Sequence, residues 1–190
     1  MKDQCPFVQR IQLTFLECHS NILNVEHKAY LDACADDYKS SSHNPKERLS
    51  KSRKRIEEFI LQTNHLILLP STPIENYKSN IFLQTFEDDV MLPFYTLLRS
   101  TTIDDQEKYG QLLLNGIRTI SSLISGPFVL GDKFTLVDIL TISWALKFDL
   151  IELWRGVHIP HTVEYEAFHD WIQHCQQRKS VVQAHKLDRE

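Results

Sequence analysis

Apolar residues recur at helical spacing along most of the chain, and the places where the rhythm breaks mark its elements. Val8, Ile11, Phe15 and Cys18 step by three and four, which predicts a helix over residues 6–19, opened by Pro6 at its first position. A short strand is expected at residues 22–25 and a weak helix at 26–38. Residues 39–46, with three serines, His43, Asn44 and Pro45, read as a loop. Leu49, Ile56, Phe59 and Ile60 predict a helix over residues 47–64, closed by the turn at 69–73. Thr72 then caps a long helix running toward Arg99, with Pro73 in its first turn and a kink expected at Pro93. The next helix spans 103–125, with Tyr109, Leu112, Leu113, Gly116, Ile120, Leu123 and Ile124 as its apolar face.

The strongest local signal is the start of the helix after Thr135. Thr135 is the N-cap, Asp138 is a short acidic capping-box partner, and Phe134 and Ile139 are placed for a hydrophobic staple. Between Leu136 and Leu146 the only polar side chains are Asp138, Thr141 and Ser143, so this helix is expected at the centre of a bundle. Beyond it, the segments at 154–156 and 158–160 precede a helix over 163–177 and a short polar tail. Four or more helices without an intervening strand make the chain from Thr72 onward an α-helical bundle.

Composition narrows the function classes. The net charge is -4 with both signs mixed, which excludes a nucleic-acid surface as the organising feature. No apolar run reaches the roughly 20 residues of a membrane span, and residues 1–7 lack the apolar core of a secretory signal, so a cytoplasmic protein is expected. Cys5, Cys18, Cys34 and Cys175 show no close pairing and are expected as free thiols. The basic run at residues 46–55 reads as a solvated helix face in preference to an anion site. His169 and His174, five apart, fall on different helix faces, so no metal site is expected there.

The set Phe128, Gly131, Asp132, Thr135 and Asp138 resembles the capping motif of the second, all-helical domain of the cytosolic glutathione transferases. The Ile56–Ile60 helix, the Leu-Leu-Pro turn at 68–70, the segment 154–160, and Trp171, Arg178, Ser180 and Val181 are similar to other parts of that family. The resemblance extends from Ile56 to the C-terminus. Cys5-Pro-Phe-Val-Gln-Arg10 resembles the active-site motif of the cysteine-type, omega-like members. The resemblance implies a mainly α fold, with residues 1–69 an incomplete thioredoxin-like, glutathione-binding region and residues 70–190 an all-helical domain.

It further implies glutathione as co-substrate, Cys5 as nucleophile, and no metal. Phe7, Ser52, Arg53, Tyr95, Trp144 and Phe148 are the implied substrate-binding residues. The implied partners are glutathione and a small electrophile or disulfide, with a possible homodimer and no nucleic acid or membrane. A cysteine at a helix N-terminus faces unpaired N–H groups and the positive end of the helix dipole, both of which favour thiolate. Val8 stands where a dithiol motif places its second cysteine, which points to monothiol exchange.

The sequence departs from the family pattern in several places. Only four residues precede Cys5, too few for a typical strand. No proline lies between Pro45 and Pro70 to act as the family's cis-proline, and Ser52-Arg53 stands where the family has Glu-Ser. Three functions therefore remain open from sequence: a glutathione-dependent transferase, a non-catalytic docking or dimerisation module, and a truncated inactive relative.

Overall fold

The computed structural model describes residues 6–18 and 45–187, and the side chains of 9–18 and 51–184. The strand expected at 22–25, the weak helix at 26–38 and Cys5 lie outside these residues. The described residues fall into two compact units. One takes the residues before Pro70 together with those from Gln176 onward, and the other is Pro70–Cys175. No strand occurs among the described residues, so the chain is mainly α.

In the first unit, α1 (Pro6–Cys18) opens on proline as expected. Its burial is wider than one stripe. Ile11, Leu13, Phe15 and Cys18 are buried, but so are Gln9 and Arg10, at 1% and 2% exposure. α2 (Pro45–Gln62) buries Ile56 and Ile60 and sets Phe59 edge-on against Phe15, ring centroids 4.4 Å apart. Two residues past its end stands Asn64, whose φ of 58° is the left-handed turn that asparagine tolerates. A 3₁₀ turn (Leu66–Leu68) follows.

The expected polar tail is instead a helix, α9 (Lys179–Leu187), and it belongs to this unit. Val181 and Ala184, three apart, are buried. Glu17 of α1 accepts from Arg178 Nε at 3.0 Å and Nη2 at 2.6 Å, and from the Ser180 hydroxyl, which ties the C-terminal segment to α1.

The second unit begins with α3 (Pro73–Thr85). The capping box at its start is complete: Thr72 Oγ1 accepts the Glu75 N–H at 3.1 Å, and Glu75 accepts the Thr72 N–H at 3.2 Å. The kink expected at Pro93 takes the form of a π turn, Phe86–Met91, leading into α4 (Leu92–Arg99). Leu92 donates to Glu87 O, five residues back, which is the wider π register. Pro93 has no N–H to give, and its ring cannot approach the preceding turn at α-helical pitch, so the backbone widens there.

α5 (Ile103–Leu123) packs against this stretch through Leu113, Gly116, Ile117 and Ile120. The apolar face is thus rotated from the expected one. Leu112 is 43% exposed, and the unforeseen Ile117 is buried. A Cβ at Gly116 would stand 2.0 Å from the Asp89 carbonyl oxygen, so only glycine lets α5 approach the π turn this closely.

α6 (Leu136–Ala145) is buried at every residue, as its composition predicts. The turn before it closes by paired backbone bonds between Phe128 and Gly131, 2.9 and 3.0 Å, with Gly131 at φ 114°. A short helix not foreseen from sequence, α7 (Asp149–Arg155), ends at Gly156 with φ 65°. Arg155 anchors it by donating to the carbonyls of Leu97, at 3.1 Å, and Leu98. α8 (Val163–Gln176) completes the unit.

Candidate functional site

The centre of the second unit is a polar knot inside the apolar core. Asp138 Oδ1 accepts the Val129 N–H at 2.9 Å and Trp171 Nε1–H at 2.9 Å. Its Oδ2 accepts the Thr135 N–H at 2.8 Å and lies 3.1 Å from the Thr135 hydroxyl. One carboxyl therefore joins the turn, the start of α6 and α8. Burial raises its pKa above the ordinary carboxylate value, outweighing the hydrogen bonds that lower it. This knot is architectural: it is sealed from solvent and offers no group to a ligand.

Three of the residues expected to bind substrate, Tyr95, Trp144 and Phe148, lie in one aromatic group of the second unit. Trp144 Nε1 donates to Tyr95 Oη at 3.2 Å, and Phe148 packs on Phe94, centroids 5.4 Å apart, and on Phe168 at 6.1 Å. Trp144 and Phe148 are buried, so of the three expected residues Tyr95 alone, half-buried, keeps an open edge. Trp154, on α7, is 59% exposed.

In the first unit, Cys5 lies outside the described residues and Phe7 contributes its backbone to α1. Ser52 Oγ is closed to solvent and has no hydrogen-bond partner among the described residues. Arg53 Nε donates to Glu57 Oε1 at 2.8 Å, with both side chains about one-third exposed. Lys51 and Lys54 are exposed on α2. Cys18 and Cys175 are buried and outside any disulfide, and burial pushes the Cys18 thiol above its ordinary value. No peptide bond is cis among the described residues.

The histidines engage separate partners. His169 Nε2 bonds Pro160 O at 3.1 Å and its ring stacks on His161 at 4.1 Å, while His174 Nδ1 bonds Asp170 O at 2.7 Å. Parallel stacked rings direct their lone pairs in separate planes, which does not suit a shared metal. No group of three His, Cys, Asp or Glu suited to a metal ion occurs among the described residues.

The sequence reading missed a cleft of about 410 Å³ between the π turn, α4 and α5. Asp88, Asp89, Leu92, Tyr109, Leu112 and Thr119 are among its walls, with Pro93 and Gly116 shaping its floor. Its sequence signals are a proline inside an apolar helical pattern and a glycine on the helix that faces it, a pairing that marks a widened turn in close contact.

No family model and no curated protein matches the sequence. Solved structures do match. Glutathione transferase Omega 3C from Trametes versicolor superposes with a TM-score of 0.62 at 17% identity, over 96% of this chain and 85% of that one. Gtt2 from Saccharomyces cerevisiae gives 0.60 at 17% identity, covering 96% of this chain and 97% of its own. Ure2p in complex with glutathione gives 0.64 at 14% identity, with 95% and 94% covered. At these identities the likeness is one of fold: this chain has the glutathione transferase fold.

Proposed function

We infer that this chain binds glutathione and exchanges thiols with disulfides through Cys5. The observation that carries the reading is the start of α1. Pro6 is its first residue, so in the chain Cys5 is the residue immediately before a helix of 13 residues. A thiol in that register gains thiolate character from the helix dipole and unpaired N–H groups. The buried Cys18 and Cys175 do not compete as nucleophiles.

The exchange has two steps. The Cys5 thiolate attacks the glutathione sulfur of a mixed disulfide, forming a protein–glutathione disulfide and releasing the other thiol as thiolate. A second glutathione thiolate then attacks that bond, giving glutathione disulfide and restoring Cys5. In this reading Phe7, Ser52 and Arg53 belong to the glutathione side. Tyr95, with Trp144 and Phe148 behind it, forms the wall for the disulfide or for a small electrophile to be conjugated. The same reading places the chain in the cytoplasm, where glutathione keeps thiols reduced, and is compatible with a homodimer.

Retention on immobilised glutathione and reduction of a small mixed disulfide test it. Both activities are expected of the wild type, with Cys5→Ser abolishing turnover while leaving retention. A wild type that binds no glutathione at millimolar concentration overturns the reading.

A second reading is a non-catalytic module or a truncated inactive relative. Two observations favour it: no strand occurs among the described residues, and Ser52 Oγ is closed to solvent. Glutathione retention without turnover in the wild type selects the non-catalytic module. Absence of both selects the inactive relative.

A further inference from the structure

We propose that the His161 ring is a pH-sensitive flap between α7 and α8, closed over the ring of His169 while at most one of the two is protonated and swung away when both are. The segment that carries it joins α7 to α8, and histidines secure it on both sides. His169 of α8 bonds Pro160 O through Nε2 at 3.1 Å, and its ring lies against that of His161, centroids 4.1 Å apart and planes 19° from parallel. Toward α7, His158 Nδ1 lies 3.0 Å from Glu152 Oε1. The His158 and His161 rings are 5.9 Å apart, so the three imidazoles stand within reach of one another's charge.

Each contact answers a proton differently. A carbonyl oxygen only accepts, so Nε2 of His169 carries hydrogen in the neutral ring and in the charged one, and Pro160 stays bound in both. The stack tolerates one charge, because a neutral aromatic ring accepts a cation on its face. Two charges at 4.1 Å repel, and a third on His158 adds to the push on His161. His158 meanwhile gains an ion pair with Glu152. Acid therefore fixes Pro160 as the pivot, tightens the α7 side and drives the His161 ring off α8.

The surrounding charges do not offset this repulsion. His161 stands two residues before α8, where the positive end of the helix dipole disfavours a further cation. On α8, Glu164 faces Arg118 of α5 at 3.7 Å, and the exposed Glu166 and Asp170 make no ion pair with either stacked ring. On α7, Glu152 is taken by His158, Asp149 is exposed without an ion pair to either ring, and Arg155 is bound to carbonyls of α4. Arg99, at the end of α4, is exposed and of the same sign as the charged rings. Histidine changes charge between about pH 5 and 8, which sets the range over which the flap moves.

Proton NMR of the full chain at about pH 8 and about pH 5 tests the proposal. Cross-peaks between the His161 and His169 rings are expected at the higher pH and should be lost at the lower. The Trp171 indole N–H signal, from the bond to Asp138, should hold its position at both and reports that the unit stays folded. His161→Phe keeps an aromatic face and removes one proton site, so its ring cross-peaks to His169 should persist at both pH values. His174→Gln, on the same helix and outside the stack, should lose its His161–His169 cross-peaks in acid as the wild type does. Cross-peaks that survive in the wild type at about pH 5, that vanish there in His161→Phe, or that survive there in His174→Gln overturn the proposal.

Discussion

Asp138 is the residue on which the second unit depends most, because its two oxygens serve three backbone and indole N–H donors that nothing else reaches. Asp138→Ala orphans all of them and should cost about 3–5 kcal/mol in urea unfolding, whereas Asp138→Asn, which sets an amide N–H against that of Thr135, should cost about 2 kcal/mol. The pH dependence follows from the direction of its shift. Its native pKa lies above the ordinary 3.8, so the folded state holds the proton more tightly than the unfolded chain. The stabilisation from this group is full below 3.8 and is lost as pH rises through the raised native value. The gap in unfolding free energy between wild type and Asp138→Asn should therefore narrow from about pH 4 upward. A gap that widens with pH contradicts the assignment.

The capping role of Thr135 and Asp138 was legible because capping signals are local, set by residues three apart. The link to Trp171, 33 residues away, was not, since no local pattern reports which distant donor a buried carboxyl will meet. The residues expected to bind substrate show the same limit. The family resemblance pointed to Tyr95, Trp144 and Phe148, and packing alone decided that two of them are closed to solvent.

Among the elements, helix boundaries were readable wherever a proline or cap fixed them, as at Pro6, Thr72 and Thr135. The interior of the longest stretch was less so. Pro93 predicted a break, but whether it becomes a kink or a π turn depends on what lies opposite, here Gly116. The adjacent Leu112 and Leu113 gave two equally apolar faces for α5, and the close approach at Gly116 chose the one containing Ile117. Gly116→Ala should consequently destabilise the unit by about 2–3 kcal/mol, because its methyl meets a backbone carbonyl and no side chain can swing aside. A loss below about 0.5 kcal/mol in denaturant unfolding would show that the π turn yields freely. α7 was missed because it is only seven residues long, although Gly156 after Arg155 is the C-terminal glycine that could have announced it.

For the molecule as a whole, the division into two units gives residues from Gln176 onward to the first, where sequence showed only a polar tail. Its apolar residues, Val181, Val182, Ala184 and Leu187, are spread over little more than two turns with only Val181 and Ala184 among them shown buried, and its anchor is the long-range pairing of Arg178 with Glu17. Arg178→Ala leaves the largely buried Glu17 carboxylate with the Ser180 hydroxyl as its remaining partner among the described residues, a loss of about 2 kcal/mol after allowing for the partial exposure of the arginine. All three tryptophans, at 144, 154 and 171, lie in the second unit. The variant should accordingly shift the far-ultraviolet circular dichroism transition more than the tryptophan fluorescence transition, and equal shifts would count against the assignment of the C-terminal helix.

The proposed exchange needs a nucleophilic Cys5, next in sequence to Pro6 of α1, on a glutathione transferase fold, and intact-protein mass spectrometry after incubation with glutathione disulfide reads that thiol itself. The wild type should gain one glutathionyl group at neutral pH, released by added thiol, and Cys5→Ser should gain none under the same conditions. An adduct that persists unchanged in Cys5→Ser, or a wild type that forms none, rules out Cys5 as the exchanging thiol.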